Sequence, residues 1–157
     1  MTCPDRPASV VIQRRIEWAN TDGAGHYHYS TVFALIEAAE ALLYERVGIG
    51  PGEVFGRTPR VRVQAQFHAV LRFGEQVETH LAVAAVGSSS LTFDFALRRG
   101  QVHAVDGHVV IVLLDRPEGR PIDWPPRWRD LLLMAGPQPA EILSAGQGPP
   151  PGPAMPA

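Results

Sequence analysis

Apolar and polar residues alternate along most of the chain, and one long stretch with helical spacing interrupts the alternation. In residues 10–18, VVIQRRIEW, Val10, Ile12, Ile16 and Trp18 alternate with Val11, Gln13, Arg15 and Glu17, which predicts a strand. Residues 19–28 are rich in Gly, Asn and Asp and break it. From 32 to 47, VFALIEAAEALLYERV runs without Gly or Pro, and Val32, Leu35, Ile36, Ala39, Leu42, Leu43 and Val47 recur at helical spacing. Ser30 or Thr31 suits the N-cap, and Gly48 and Gly50 close the helix. Its apolar stripe is wide, so the helix should be buried on most of its circumference. Glu37 and Glu40 share a side with Phe33 and Tyr44, a polar face expected opposite the sheet.

After a loop over 48–58, four strand patterns follow. In 60–73, Val61, Val63, Ala65, Phe67, Ala69, Leu71 and Phe73 take one face, while Arg60, Arg62, Gln64, Gln66, His68 and Arg72 take the other. The next patterns cover 76–86, 90–99 and about 101–114, the last ending in VVIVLL, a run expected of a strand covered on both faces. Short turns between them predict an antiparallel meander. A short amphipathic helix is expected within 122–134, anchored by Trp128, Leu131 and Leu132. The order strand, helix, four strands predicts an α+β fold, a five-stranded antiparallel sheet wrapped around one long central helix. One helix cannot cover such a sheet completely, so its free edges invite a second subunit.

Length and composition narrow the picture. The 157 residues suit one domain, taken as residues 1–136, with a Pro- and Gly-rich, disordered tail over 137–157. A net charge of −2 argues against nucleic-acid binding, although all 14 basic residues are Arg. The single cysteine, Cys3, fits a reducing compartment. With no apolar run near membrane-spanning length, a cytoplasmic protein without membrane contact is expected.

The segment Trp18–Ser30 is the richest in chemistry. It holds one acid, Asp22, two histidines and two tyrosines, and it runs into a helix N-terminus, where unpaired N–H groups can polarise a carbonyl and hold an oxyanion. Asp22 could attack that carbonyl or activate water, the minimum for acyl transfer. Against this, Thr21-Asp22-Gly23 is also an ordinary turn sequence in which Asp caps its own backbone. His26 and His28 offer two metal ligands without an evident third, so no metal or other cofactor is expected. Gly-x-Ser-x-Gly, P-loop and dinucleotide motifs do not occur, which argues against serine hydrolase and nucleotide readings.

Asn20-Thr21-Asp22-Gly23-Ala24-Gly25, then Tyr29 and the helix with Phe33 and Glu37, resembles the signature of hotdog-fold thioesterases of the 4-hydroxybenzoyl-CoA thioesterase type. The resemblance extends to Phe67–Glu75, to Pro121-Ile122 and to Trp124-Pro125, and covers about residues 10–135. The chain departs from the pattern in having Asn20 where the family has a first acid, and in the polar His26-Tyr27-His28. The resemblance implies a hotdog fold and hydrolysis of an acyl-CoA or acyl-carrier-protein thioester by a homodimer or homotetramer with sites at subunit boundaries. It places Asp22 as nucleophile or general base, Tyr29 as the source of a backbone N–H to the thioester carbonyl, and Gly25 at the close approach. Glu37 is a reserve acid. His26, His28, Arg57, Arg60, Arg62 and Arg98, with Arg99, are then candidates to bind the substrate, the arginines through its phosphates. Two other readings stay open, a non-catalytic acyl-binding or regulatory protein and a dehydratase using His26 or His28.

Overall fold

The structure, a computed structural model, describes residues 6–143. A six-stranded sheet curves around one long helix. The strands are β1 (Arg6–Arg15), β2 (Arg60–Phe67), β3 (Gln76–Val86), β4 (Ser90–Arg99), β5 (Val102–Val112) and β6 (Ala135–Pro137). The helices are α1 (Thr31–Val47), the single-turn α2 (Pro51–Val54) and α3 (Pro126–Met134). α1 and β4 fall where the pattern predicts them. Gly48 ends α1 in the left-handed conformation, φ 85°, and its N–H donates to the carbonyls of Tyr44 and Glu45.

The strand order is β2-β5-β4-β3-β1-β6, which corrects two expectations. The sheet gains a sixth strand, and the four later strands do not form a meander, because β2 pairs with β5 at the far edge. β2 stops at Phe67. The alternation that continues through Ala69, Leu71 and Phe73 belongs to a crossing segment, in which the Leu71 carbonyl accepts the Tyr27 N–H at 2.8 Å. Leu71 is buried under the 20–30 loop instead of lying in a ladder.

The C-terminal boundary also shifts. β6 lies parallel to β1, and further on the Gln138 and Glu141 N–H groups donate to the Ser9 and Val11 carbonyls. Residues 137–143 therefore continue the edge of the domain, where a tail was expected. The rest of that expectation, 144–157, lies outside the described residues, as does Cys3. β1 starts four residues earlier than expected and ends before Trp18, which sits in a 3-10 turn, largely exposed, edge-on to Phe73.

The core is the inner face of the sheet closed over α1. Ile12, Val77, Leu81, Leu91, Phe93, Leu97, Val105 and Ile111 meet Val32, Ile36, Leu43 and Tyr44 with almost no exposure. Trp124 seals one end, its indole N–H donating to the Ser89 carbonyl at 2.9 Å. Of the α3 anchors, Leu132 is buried while Trp128 and Leu131 are half-buried. VVIVLL is fully covered on one face only, since Val110 and Val112 stay half-exposed. Gly107 occurs where strands approach closely, because a Cβ there would lie 1.9 Å from the Gln64 carbonyl oxygen across the β2–β5 ladder.

The edge strand β2 is uncovered. Its inner-face residues Val63 and Phe67, opposite buried Val109 and Val105, are 42% and 49% exposed. α1 does not reach this far. A bulge between Arg60 and Arg62 corrects the predicted face of Arg60, which now stands opposite buried Ile111 and points toward α1. Among the described residues, no helix is long and apolar enough to cross a membrane.

Candidate active site

The loop between β1 and α1 folds back on itself. Thr21 bridges to Tyr27, the Asp22 N–H donates to the His26 carbonyl at 2.8 Å, and Gly25 takes φ 76°, which favours glycine. Asp22 is exposed at the tip, and its Oδ1 accepts the Ala24 N–H at 2.9 Å. The side chain thus caps its own turn, as the ordinary reading of Thr-Asp-Gly anticipates, and Oδ2 is left toward solvent.

The start of α1 differs from the expected row of free donors. The N–H groups of Thr31, Val32 and Phe33 donate to the carbonyls of His28, Tyr29 and Ser30. Ser30 stands at the N-cap but makes no capping bond. Its hydroxyl lies 2.7 Å from His28 Nδ1, and the Thr31 hydroxyl donates to the Asn20 carbonyl. Next to them the Tyr29 N–H, at the positive end of the helix, has no acceptor among the described residues.

Beside it is a groove of about 320 Å³ lined by Tyr27, Tyr29, Phe67, His68, Ala69 and Val70. Sequence alone gave Tyr27 no special role. Its hydroxyl is buried with no partner, and burial raises its pKa, so it remains a proton donor. The only sequence hint was a tyrosine in a stretch where the resembling family is apolar. Tyr29 is 61% exposed and stacks on the His28 ring at 4.5 Å. His26 lies against Arg72, Nε2 to guanidinium 3.1 Å.

The predicted acids and arginines separate into two groups. Glu37 is mostly exposed, whereas Glu40 is fully buried and bonded by the Tyr44 hydroxyl at 2.7 Å and by Arg60 at 2.5 Å. This overturns the expectation of a polar face turned away from the sheet. Tyr44 packs against Phe55 and Phe93, so the Glu40–Tyr44 part of that side faces the core, while Phe33 and Glu37 stay exposed. Burial raises the Glu40 carboxyl pKa, against the opposing pull of Arg60 and Tyr44. Arg60 also approaches Glu37 at 3.5 Å. Arg57 donates to the carbonyls of Glu53, Leu114 and Asp115 and lies over Trp128, so its guanidinium is held by the protein itself. Arg99 pairs with Glu75 at 2.9 Å. Burial works to raise Glu75, but the Arg72 N–H and the guanidinium of Arg99 outweigh it and hold the carboxyl below its ordinary range. Arg62 and Arg98 are exposed and have no ion-pair partner among the described residues.

Comparison with solved structures gives many of the same architecture. The PA5185 protein from Pseudomonas aeruginosa is 30% identical, with a TM-score of 0.68 over 78% of this chain and 87% of its own. Slr0204, a 1,4-dihydroxy-2-naphthoyl-CoA thioesterase from Synechocystis, is 16% identical, with a TM-score of 0.71 over 79% of this chain and 95% of its own. A Thermus thermophilus thioesterase complexed with coenzyme A and Zn is 20% identical, with a TM-score of 0.71 over 78% of this chain and 90% of its own. The two thioesterases establish a shared fold. No protein-family model matches the chain, and no curated protein does.

Proposed function

Because the chain belongs to the same family as the Pseudomonas aeruginosa PA5185 protein and has the fold of solved thioesterases, we propose that it is an acyl-thioester hydrolase. The substrate in this reading is an acyl-CoA or the thioester of an acyl carrier protein, of the 4-hydroxybenzoyl-CoA thioesterase type. The observation that carries the proposal is the unengaged Tyr29 N–H at the head of a buried helix, opening on a groove with aromatic walls. A thioester oxygen placed there accepts that N–H, and the developing oxyanion is stabilised by a donor already in position.

Asp22 supplies the carboxylate. Acting as general base, Oδ2 takes a proton from water as the water oxygen bonds to the carbonyl carbon. Collapse of the tetrahedral intermediate then breaks the C–S bond and releases the thiol and the acid. Acting as nucleophile, Oδ2 bonds to the same carbon, the C–S bond breaks and the thiolate leaves; water then hydrolyses the resulting mixed anhydride to the free acid, restoring Asp22 and supplying the proton that the thiolate takes. Gly25 leaves room for the acyl group. Glu37 remains the reserve acid. In this reading His26 and His28 contact the substrate, and Arg62 and Arg98 are the guanidiniums left available for its phosphates. Arg57 and Arg60 have roles within the protein instead.

A homodimer completes the site in this reading, and paired dimers give a tetramer. A second copy covers the exposed face of β2 and forms the outer wall of the groove. Cytoplasmic location and independence of any cofactor belong to the same proposal.

Thiol release from a panel of acyl-CoA thioesters tests it. Asp22→Asn should lower turnover by about 10²–10⁴-fold, the range for loss of a positioned acid or base, while binding of the thioester persists. The bond from Ala24 to Asp22 favours one rival, an acyl-binding protein in which Asp22 only shapes the loop. That rival predicts binding without thiol release in the wild type. A dehydratase would lose activity with His26→Ala and keep it with Asp22→Asn.

A further inference from the structure

We propose that His68, His103 and Asp106 form a binding site for a divalent transition-metal ion of the zinc class, at the outer face where β2 ends. The Nε2 atoms of His68 and His103 lie 2.9 and 2.6 Å from one carboxylate oxygen, Asp106 Oδ2. All three potential ligand atoms fall within 4.8 Å of one another, the one such group of three among the described residues. A tetrahedral ion with ligands at roughly 2.0–2.2 Å needs donor atoms about 3.3 Å apart, so both histidine–carboxylate contacts, at 2.9 and 2.6 Å, must open while the two imidazoles, within 4.8 Å of each other, turn onto the ion.

The backbone builds this convergence. His103 and Asp106 are three residues apart in one strand, a spacing that puts side chains on opposite faces of a regular strand. The β4–β5 register steps from Leu97–Val105 to Arg98–His103, which inserts one extra residue, Ala104, into β5 and turns His103 to the same side as Asp106. The inserted residue also fixes the third side chain. The Ala104 carbonyl accepts the N–H groups of both His68 and Ala69, at 2.8 and 3.2 Å, just as the chain leaves β2. One bulge therefore places all three ligands.

The donor chemistry fits an ion of this class. Two imidazole nitrogens and one carboxylate oxygen suit zinc, nickel, copper or iron better than magnesium or calcium, which prefer oxygen alone. The side chains are 42%, 38% and 40% exposed, so an ion can enter and water can complete its shell. This inference does not depend on the hydrolase reading, although His68 also borders the groove.

Calorimetric titration of the chelator-treated full-length protein with Zn²⁺, and with Co²⁺ followed by visible absorption, tests the proposal. One saturable site per chain is expected, with an intense Co²⁺ spectrum that Zn²⁺ abolishes. His68→Ala, His103→Ala and Asp106→Asn should each weaken Zn²⁺ binding by more than the roughly 10–100-fold cost of losing an outer-shell partner. His80→Ala should leave it unchanged. A wild-type Co²⁺ spectrum like that of the aqueous ion overturns the proposal without any variant. So does Zn²⁺ uptake that survives loss of both His68 and His103.

Discussion

Arg60 reaches inward from the edge strand to Glu40, guanidinium to carboxylate 2.5 Å, and so ties β2 to the middle of α1. The pair is unequal in exposure, with the Glu40 side chain fully buried and that of Arg60 24% exposed. Removing the partner of a buried charge costs far more than removing both charges, because the orphaned ion keeps its desolvation penalty. Arg60→Ala should therefore destabilise the fold by about 3–5 kcal/mol. The double variant Arg60→Met with Glu40→Met should recover most of that loss. Urea unfolding of the single and double variants measures both.

The same carboxylate makes stability depend on pH. Burial raises the Glu40 pKa in the folded state above its ordinary 4.5, so the folded protein binds the proton more tightly than the unfolded chain does. Its favourable contribution is fully present below that ordinary value and is lost as pH rises through the raised one. Glu40→Gln, which stays neutral, should therefore improve relative to wild type as pH is raised from 4.5 to 7. Paired thermal melts across that interval give the answer, and a constant gap in Tm would refute it.

Gly107 leaves no space for a methyl group. A Cβ would meet backbone atoms of β2, the Gln64 oxygen at 1.9 Å and the Ala65 Cα at 2.9 Å, and neither can rotate away. Gly107→Ala should cost about 1–3 kcal/mol, as overpacking does. The loss should concentrate in β2, visible as faster amide exchange at residues 62–66 than in β3 or β4.

The proposed dimer rests on the uncovered face of β2. Val61, Val63 and Phe67 are each more than two-fifths exposed along one short strand. Phe67→Asp combined with Val63→Lys should convert the dimer to monomer in sedimentation velocity, with the far-ultraviolet circular dichroism retained. Thiol release should fall with it, because the groove would lose its outer wall.

Some of this was readable from residue order. α1 was, because sixteen residues keep one helical period and a glycine follows them. β4 was, because Leu91, Phe93, Phe95 and Leu97 alternate cleanly between turn residues. The path from β2 to β3 was not, since Ala69, Leu71 and Phe73 continue a strand pattern that tertiary contact with the Tyr27 loop overrides. Arg60 looked like an outward strand residue because a one-residue bulge leaves no mark on alternation. Glu40 could be assigned only to a polar face of the helix, and the arrival of Arg60 from a distant strand explains its burial. The His68–His103–Asp106 group was invisible for the same reason, as it requires the β2–β5 pairing and the bulge at Ala104 together. In the loop before α1, residue order singles out the segment and Asp22 as candidates, while the free donor at Tyr29 and the unpartnered Tyr27 hydroxyl needed coordinates.

The short parallel strand β6 and the residues after it have a consequence for growth. They cap the β1 side of the sheet with an irregular fringe that contains Pro137, leaving β2, among the described residues, as the one long border fit for pairing. Two copies that join through that border would each occupy the other's free edge, so strand addition halts at a closed unit rather than running on into a fibre.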